Sequence, residues 1–303
     1  MNFLSDEIIE RVSEEIKRIN REVIMPVYDG TDPIAVEYKS EGQGDVVTAT
    51  DRKAEEILTA FLKDLVPGSE VIGEETIGMD FLKLERSQKR SGVVWTVDPI
   101  DGTDRFRKRQ SGFATMGACS IDGVTLHAWM FLPKLENGAV MLSATAGQGT
   151  FIEYANGVRE RVCPPSVPFE EHSFGYDGLN RQFEHIKEEA RLLVQKLEGH
   201  IAGTYTHNCI AADTYDMLMG GNKGIIYLCP KLWDALPPSL IIREAGGFAG
   251  PLENPDIDMY GYNGTDIIYF GPDKNKAEML KAVLRNPDKP LLSQANALQP
   301  ILS

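Results

Sequence analysis

The chain has 303 residues, 42% of them apolar and 25% charged, and a formal net charge of −14. That length allows a large buried core, as one big domain or two closely packed lobes. The negative charge argues against sequence-independent binding to a nucleic-acid polymer, which needs a cationic face to displace counterions.

The first predicted element places Ile8, Val12, Ile16, Ile19 and Val23 at steps of three and four, one face of an amphipathic helix with Ser5 as N-cap and Pro26 as its end. This acidic start is unlike the basic, continuously apolar start of a signal peptide. A second helix follows Thr50 or Asp51, where Ala54, Ile57, Leu58, Phe61, Leu62 and Leu65 form an apolar stripe before Pro67-Gly68 stops it. The run 92–98 is short, apolar and β-branched, as a buried strand is, and it delivers Asp98 to an edge. Strands are predicted at 113–121 and 124–132, joined by Asp122-Gly123, a favoured two-residue hairpin turn, and shorter strands surround Val140 and Phe151. Beyond a polar, proline-rich stretch the pattern alternates. Helices are expected at 181–197, 208–219, 234–245 and 275–286, and strands at 224–228 and 266–270. This suggests an α/β fold of two lobes, 1–165 and 166–303. The longest apolar runs fall far short of the roughly 20 residues that span a bilayer, so a cytoplasmic protein making no membrane contact is expected.

The cysteines (Cys119, Cys163, Cys209, Cys229) form no C-x-x-C pair and are taken as reduced thiols, mostly buried; the five histidines have no spacing suited to a metal. The chemistry concentrates in Asp98-Pro99-Ile100-Asp101-Gly102-Thr103, preceded by Gly73-Glu74-Glu75. Hard divalent cations need oxygen ligands, and carboxylates fixed at a strand end supply them. Proline stiffens the turn and leaves the Ile100 carbonyl to point inward. Gly102 lets backbone approach a ligand, and a following helix would aim N–H groups at a phosphate, with Thr103 placed to cap that helix or orient a water. Each piece alone has an ordinary explanation as a turn, a cap or an aromatic anchor. Their combination does not.

In order, the pieces are Asp51 in TATDRKAEE, Glu74 in VIGEET, Asp98 to Thr103 in WTVDPIDGTD, and Asp234 in LWDALPPSLIIREAGG. This arrangement resembles the inositol monophosphatase family, within the lithium-sensitive, Mg2+-dependent phosphatases that include fructose-1,6-bisphosphatase. The resemblance implies a layered αβαβα sandwich and a homodimer. It implies two or three Mg2+ ions: Glu74, Asp98 and the Ile100 carbonyl on the first, Asp98, Asp101 and Asp234 on the second, and Glu74 reaching a third through water. It further implies that Thr103 and Asp51 activate the attacking water, with Glu74 also in the catalytic set, and that Asp101, Gly102 and Thr103 meet the phosphate. Gly203, Thr204 and Tyr205 match the segment that contacts the inositol ring, and Tyr227 stands where those enzymes place a glutamate. The implied substrate is a small phosphorylated metabolite: an inositol or other sugar phosphate, fructose-1,6-bisphosphate, histidinol phosphate or a 3'-phosphonucleotide. A non-catalytic relative that binds such a compound is the alternative.

The sequence departs from that pattern after D-G-T, where Asp104 and Arg105 follow, with Arg107, Lys108 and Arg109 close behind. These basic residues are expected to form a solvated segment, with recognition of a second anionic group on the substrate as the alternative. The bulky Tyr205 and Tyr227 weaken an inositol assignment. Pro237-Pro238 are expected to be accommodated in the first turn of the Asp234 helix.

Overall fold

The computed structural model describes residues 4–38, 46–77, 91–164, 173–177, 195, 203–205, 208–220, 223–228, 230–251, 267–271 and 274–285. The first helix, α1 (Asp6–Ile19), starts where its apolar stripe predicts: the Ser5 hydroxyl accepts from Ile8 N at 3.3 Å, and Val12, Ile16 and Ile19 are buried. Pro26 does not end the helical path. The backbone widens into a π turn (Asn20–Ile24) and continues as α2 (Met25–Asp29), with Pro26 in the first turn, where a missing N–H is tolerated.

A short hairpin, β1 (Val36–Tyr38) with β2 (Val46–Thr48), leads into α3 (Ala49–Leu65). This helix begins earlier than its apolar stripe suggests. Thr48 is the N-cap, and Asp51, three residues on, returns its carboxylate to Thr48 N at 3.0 Å as half of a capping box.

A seven-stranded sheet follows in chain order: β3 (Glu70–Gly73), β4 (Val93–Asp101), β5 (Ala114–Ile121), β6 (Val124–Leu132), β7 (Val140–Thr145), β8 (Gly149–Tyr154) and β9 (Arg159–Arg161). Among the described strands of this sheet β3 and β4 run parallel and the other neighbours antiparallel. The β5–β6 hairpin closes on Asp122 (φ 50°) and Gly123 (φ 83°), the left-handed pair that the Asp-Gly dipeptide favours. Two short helices lie at the strand ends, α4 (Glu74–Ile77) after β3 and α5 (Thr103–Arg107) after β4.

The second sheet has the order β11-β10-β12-β14-β13, from β10 (Ser173–Asp177), β11 (Gly203–Tyr205), β12 (Lys223–Leu228), β13 (Phe248–Pro251) and β14 (Ile267–Gly271). Helices α6 (Ile210–Gly220) and α7 (Leu232–Glu244) lie between the two sheets, α1 and α3 pack on the far side of the first, and α8 (Lys274–Arg285) packs on β14. This is the expected layered αβαβα sandwich. The predicted helix at 181–197 falls outside the described residues, apart from residue 195.

Side-chain alternation along the strands fixes which layer each residue faces. Trp95, Val97, Phe113 and Cys119 join the core under α1 and α3; Val94, Ala114, Met116 and Ala118 join the core shared with α6 and α7. As a middle layer, α7 is buried almost all round, from Leu232 to Ile242. Pro237 and Pro238 are its sixth and seventh residues, beyond the first turn, and the helix runs through them. Both remove an intrahelical donor at a typical cost of about 3 kcal/mol per interior proline. Burial on two sides offsets that cost here.

Candidate functional site

The site begins with two parallel strands. Gly73 of β3 pairs with Val97 of β4, so Glu74 and Asp98, the next residues on each, emerge side by side. On β4 the register then breaks: Asp98 pairs with Met116 of β5 but Asp101 pairs with Ala114, a bulge holding Pro99 and Ile100. Within it, Asp98 Oδ1 accepts from Ile100 N at 3.0 Å. Gly102 (φ 81°, ψ 41°) then turns the chain through the left-handed region into α5. A Cβ there would also lie 3.0 Å from Cys209 Cβ. The residue is glycine on two counts.

Thr103 is the first residue of α5 and does not cap it; its hydroxyl faces Ile100 O at 3.0 Å and Asp51 Oδ1 at 3.3 Å. Thr103 is thus within hydrogen-bond reach of Asp51, its single proton having two acceptors to choose between. Asp51 is 1% exposed, and its other oxygen accepts from Thr48 N and the Thr48 hydroxyl. Burial is the main influence on its carboxyl, opposed by the Thr48 bonds and reinforced by the nearby Glu74 charge, and its pKa is pushed up to about 6.

One residue of this site was missed in the sequence. Glu55, one helical turn after Asp51 on α3, is 1% exposed and accepts from Glu75 N and Thr76 N, both at 2.7 Å, and from the Thr76 hydroxyl. It grips the chain directly after Glu74. Burial raises its pKa despite those bonds. Gly73 makes room for it, since a Cβ there would lie 2.2 Å from the Glu55 carboxyl carbon. The available signal was its spacing: Asp51 and Glu55 are at i and i+4, on one face of the helix.

Asp101 reaches across to the middle layer. Its carboxylate accepts from Ile210 N at 3.3 Å, Ala211 N at 2.8 Å and the Cys209 thiol at 3.1 Å, so it caps α6 from another element. Cys209 is fully buried, and burial followed by the Asp101 charge holds its thiol well above the usual range. Asp234 lies in the first turn of α7, 5% exposed, with Oδ2 accepting from Lys231 N at 3.3 Å and the Tyr227 hydroxyl at 3.4 Å. The far end of α7 is fixed at β8, where Thr150 donates to Ile241 O at 2.5 Å and Glu244 accepts from Gly147 N and Gly149 N. The helix also packs on β4.

Among the described residues, no three His, Cys, Asp or Glu side chains close on one metal-sized position. The Asp51, Asp98, Asp101 and Asp234 carboxylates accept from nearby amide, hydroxyl and thiol donors. Their chemistry still suits a hard cation: all the candidate ligands are oxygens, and a carboxylate has about four lone-pair sites, so accepting an N–H does not exhaust it.

Tyr227 is 4% exposed and touches Asp234. Gly203, Thr204 and Tyr205 form the edge strand β11, beside β10; their side chains lie outside what the structure describes. The basic segment is solvated only in part, with Lys108 exposed and Arg105, Arg107 and Arg109 half-buried. Arg105 donates to Ser111 O, Arg107 and Lys108 pair with Asp104, and Arg109 donates to the carbonyls of Val27, Tyr28 and Asp32. The chain's own acceptors engage each of these cations on one side, which an isolated charge pattern does not reveal. Among the thiols, Cys119 and Cys209 are buried and Cys163 is exposed; Cys229 is outside the described residues. His127 is buried, and the other four histidines are outside the described residues.

The inositol monophosphatase family model matches residues 6–261. The Nus factor SuhB of Salmonella typhimurium is 27% identical over 267 residues, which cover 84% of this chain and 86% of SuhB. Inositol monophosphatase 1 of Xenopus laevis is 30% identical over 217 residues, covering 67% of this chain and 68% of that protein. A crystal structure of an IMPase/NADP phosphatase complexed with Mg2+ and phosphate superposes with a TM-score of 0.67 at 17% identity, covering 91% of this chain and 94% of that one. With a family model matched over most of its length and the layered fold of its structural neighbours, this chain belongs to the inositol monophosphatase family.

Proposed function

We propose that this protein is a Mg2+-dependent phosphomonoesterase acting on a small phosphorylated metabolite. The observation that carries the proposal is the Thr103–Asp51 contact, 3.3 Å long, at the mouth of the β4 bulge. It places a hydroxyl and a buried carboxylate in series beside the strand end that bears Asp98 and Asp101. Family membership and a structural neighbour complexed with Mg2+ and phosphate support the same reading.

Glu74, Asp98, the Ile100 carbonyl, Asp101 and Asp234 would hold the metal. When bound, Mg2+ makes water a stronger acid, neutralises phosphoryl oxygens and stabilises the departing alkoxide. The protein's own contribution is to orient and to move a proton. Thr103 Oγ1 accepts a proton from the attacking water as its own passes to Asp51 Oδ1. Asp51 suits that role because its burial makes it a stronger base than an ordinary aspartate, yet it stays mainly ionised at neutral pH. The backbone N–H groups of Gly102 and Thr103 would donate to phosphoryl oxygens. Tyr227, held against Asp234, would stand on the leaving-group side and favour a less hydroxylated group than inositol.

A panel of phosphorylated metabolites assayed for phosphate release, with and without Mg2+, tests the proposal. Release from at least one compound only with Mg2+, nearly abolished by Asp98→Asn in a folded protein, is the expected result. Near-normal turnover by Asp98→Asn would refute its role, and no release from any compound would favour a binding role, as the Nus factor name of the Salmonella relative allows.

A further inference from the structure

Two residues of β4, Pro99 and Ile100, lie between Asp98 and Asp101, while a single residue of β5, Thr115, lies between their partners Met116 and Ala114. The bulge is poor in ladder donors: Pro99 has no N–H, and Ile100 N is taken by Asp98. The Pro99 carbonyl finds its partner in a side chain. Thr115 Oγ1, 1% exposed, donates to it at 2.8 Å. A carbonyl can only accept, so the single threonine proton is committed there, and Thr115 must itself accept from Asn20 Nδ2, 2.9 Å away. The same Nδ2 donates to Ile16 O at 3.0 Å.

Asn20 is an unfavourable residue for mere space-filling at this position. It is 1% exposed, beside Ile16, Ile19 and Ile24 in the helical core, and opens the π turn. Among the described residues its Oδ1 has no hydrogen-bond partner, and burying an unsatisfied acceptor is destabilising. An alanine would avoid that cost. What the asparagine adds is a polar chain from the outer helix, through the sheet, to the turn that carries the acidic residues.

We propose that Asn20 and Thr115 are positioning residues that hold the 98–101 bulge in shape and so set where Asp98, the Ile100 carbonyl and Asp101 stand. Its consequence for metal use rests on the phosphatase reading above; its geometry does not. Thr115→Val removes the hydroxyl at nearly constant volume, Thr115→Ser keeps it, and Asn20→Ala removes the start of the chain. In the metal-free protein, Thr115→Val is expected to speed amide exchange at 100–102 relative to 94–97. In the assay it is expected to raise the Mg2+ concentration for half-maximal phosphate release by about 10- to 100-fold, the usual range for losing a group that orients metal ligands. Thr115→Ser should behave as wild type, and the double variant with Asn20→Ala should be no worse than Thr115→Val, because both cut one chain. If Thr115→Val lowers Tm but leaves exchange at 100–102 and the Mg2+ requirement unchanged, the pair is only structural and the proposal is wrong. A wild-type protein that releases no phosphate would instead sink the phosphatase reading, while the exchange comparison would still decide whether the pair shapes the bulge.

Discussion

Asp51 shows how one side chain serves both local structure and chemistry. One carboxylate oxygen closes the capping box with Thr48 and the other faces Thr103. Asp51→Asn keeps the shape and can still accept through its amide oxygen, but it removes the base; kcat is expected to fall about 10^2- to 10^4-fold with little change in KM or Tm. Phosphate-release kinetics alongside thermal melts check this. His127 makes a different prediction, about stability. Burial lowers its pKa to about 4, and its ring reaches Thr145 Oγ1 at 2.9 Å through Nδ1 while Nε2 has no partner among the described residues. The folded state resists protonation that the unfolded chain accepts from about pH 6.5 downward, so stability is lost as pH falls from about 6.5 to about 4. The full effect is about 3 kcal/mol. Urea titrations of His127→Leu across this range should show a correspondingly weaker acid dependence, and an unchanged slope would refute the assignment.

At the scale of elements, the site depends on where backbone must come close to something else. Gly73 ends β3 against the Glu55 carboxylate, and Gly102 turns β4 into α5 against Cys209. Gly73→Ala should displace Glu55 from the amides of Glu75 and Thr76, destabilise the protein by about 1–3 kcal/mol and loosen the segment that presents Glu74. Gly102→Ala adds the left-handed backbone penalty of about 1–2 kcal/mol to a tight contact and should raise KM for the phosphorylated substrate. Denaturant titrations and steady-state kinetics test both. The basic segment belongs to this scale too: Tyr28, Phe106 and Phe113 pack as tilted and edge-on rings with centroids 4.9–6.1 Å apart, fixing α5 against α2 so that Arg109 can reach the carbonyls there.

At the scale of the molecule, one apolar cluster extends from Ile72 and Val94 through α6 and α7 to Ile268 and Phe270, joining both sheets through the middle layer. Asp101 ties the same layers by a polar route, from β4 to the start of α6. Asp101→Ala should therefore do more than remove a candidate ligand: losing a cap costs about 1 kcal/mol, and three donors lose their acceptor. Far-UV and near-UV transitions in urea are expected to coincide for the wild type, because no plane between the sheets is free of shared core. Clearly separate transitions would show that the two sheets fold as independent units.

The linear sequence determined the local elements and the types of chemical group. Ser5 as a cap, the stripe on α3, the buried run into Asp98 and the Asp-Gly hairpin were legible because each depends on neighbours within a few residues. The acidic motifs likewise pointed to the family before any contact was known. Tertiary structure decided what depends on partners distant in the chain: helical continuation past Pro26 and through Pro237-Pro238, Glu55 as the grip behind Glu74, and Asp101 as the cap of a helix more than a hundred residues away. It also decided that the cations at 105–109 are committed to nearby carbonyls and to Asp104. The physical reason is common to all of these. Proline's penalty, a carboxylate's role and an arginine's freedom are set by the donors, acceptors and apolar surfaces that folding brings within about 4 Å, and spacing along the chain does not specify those.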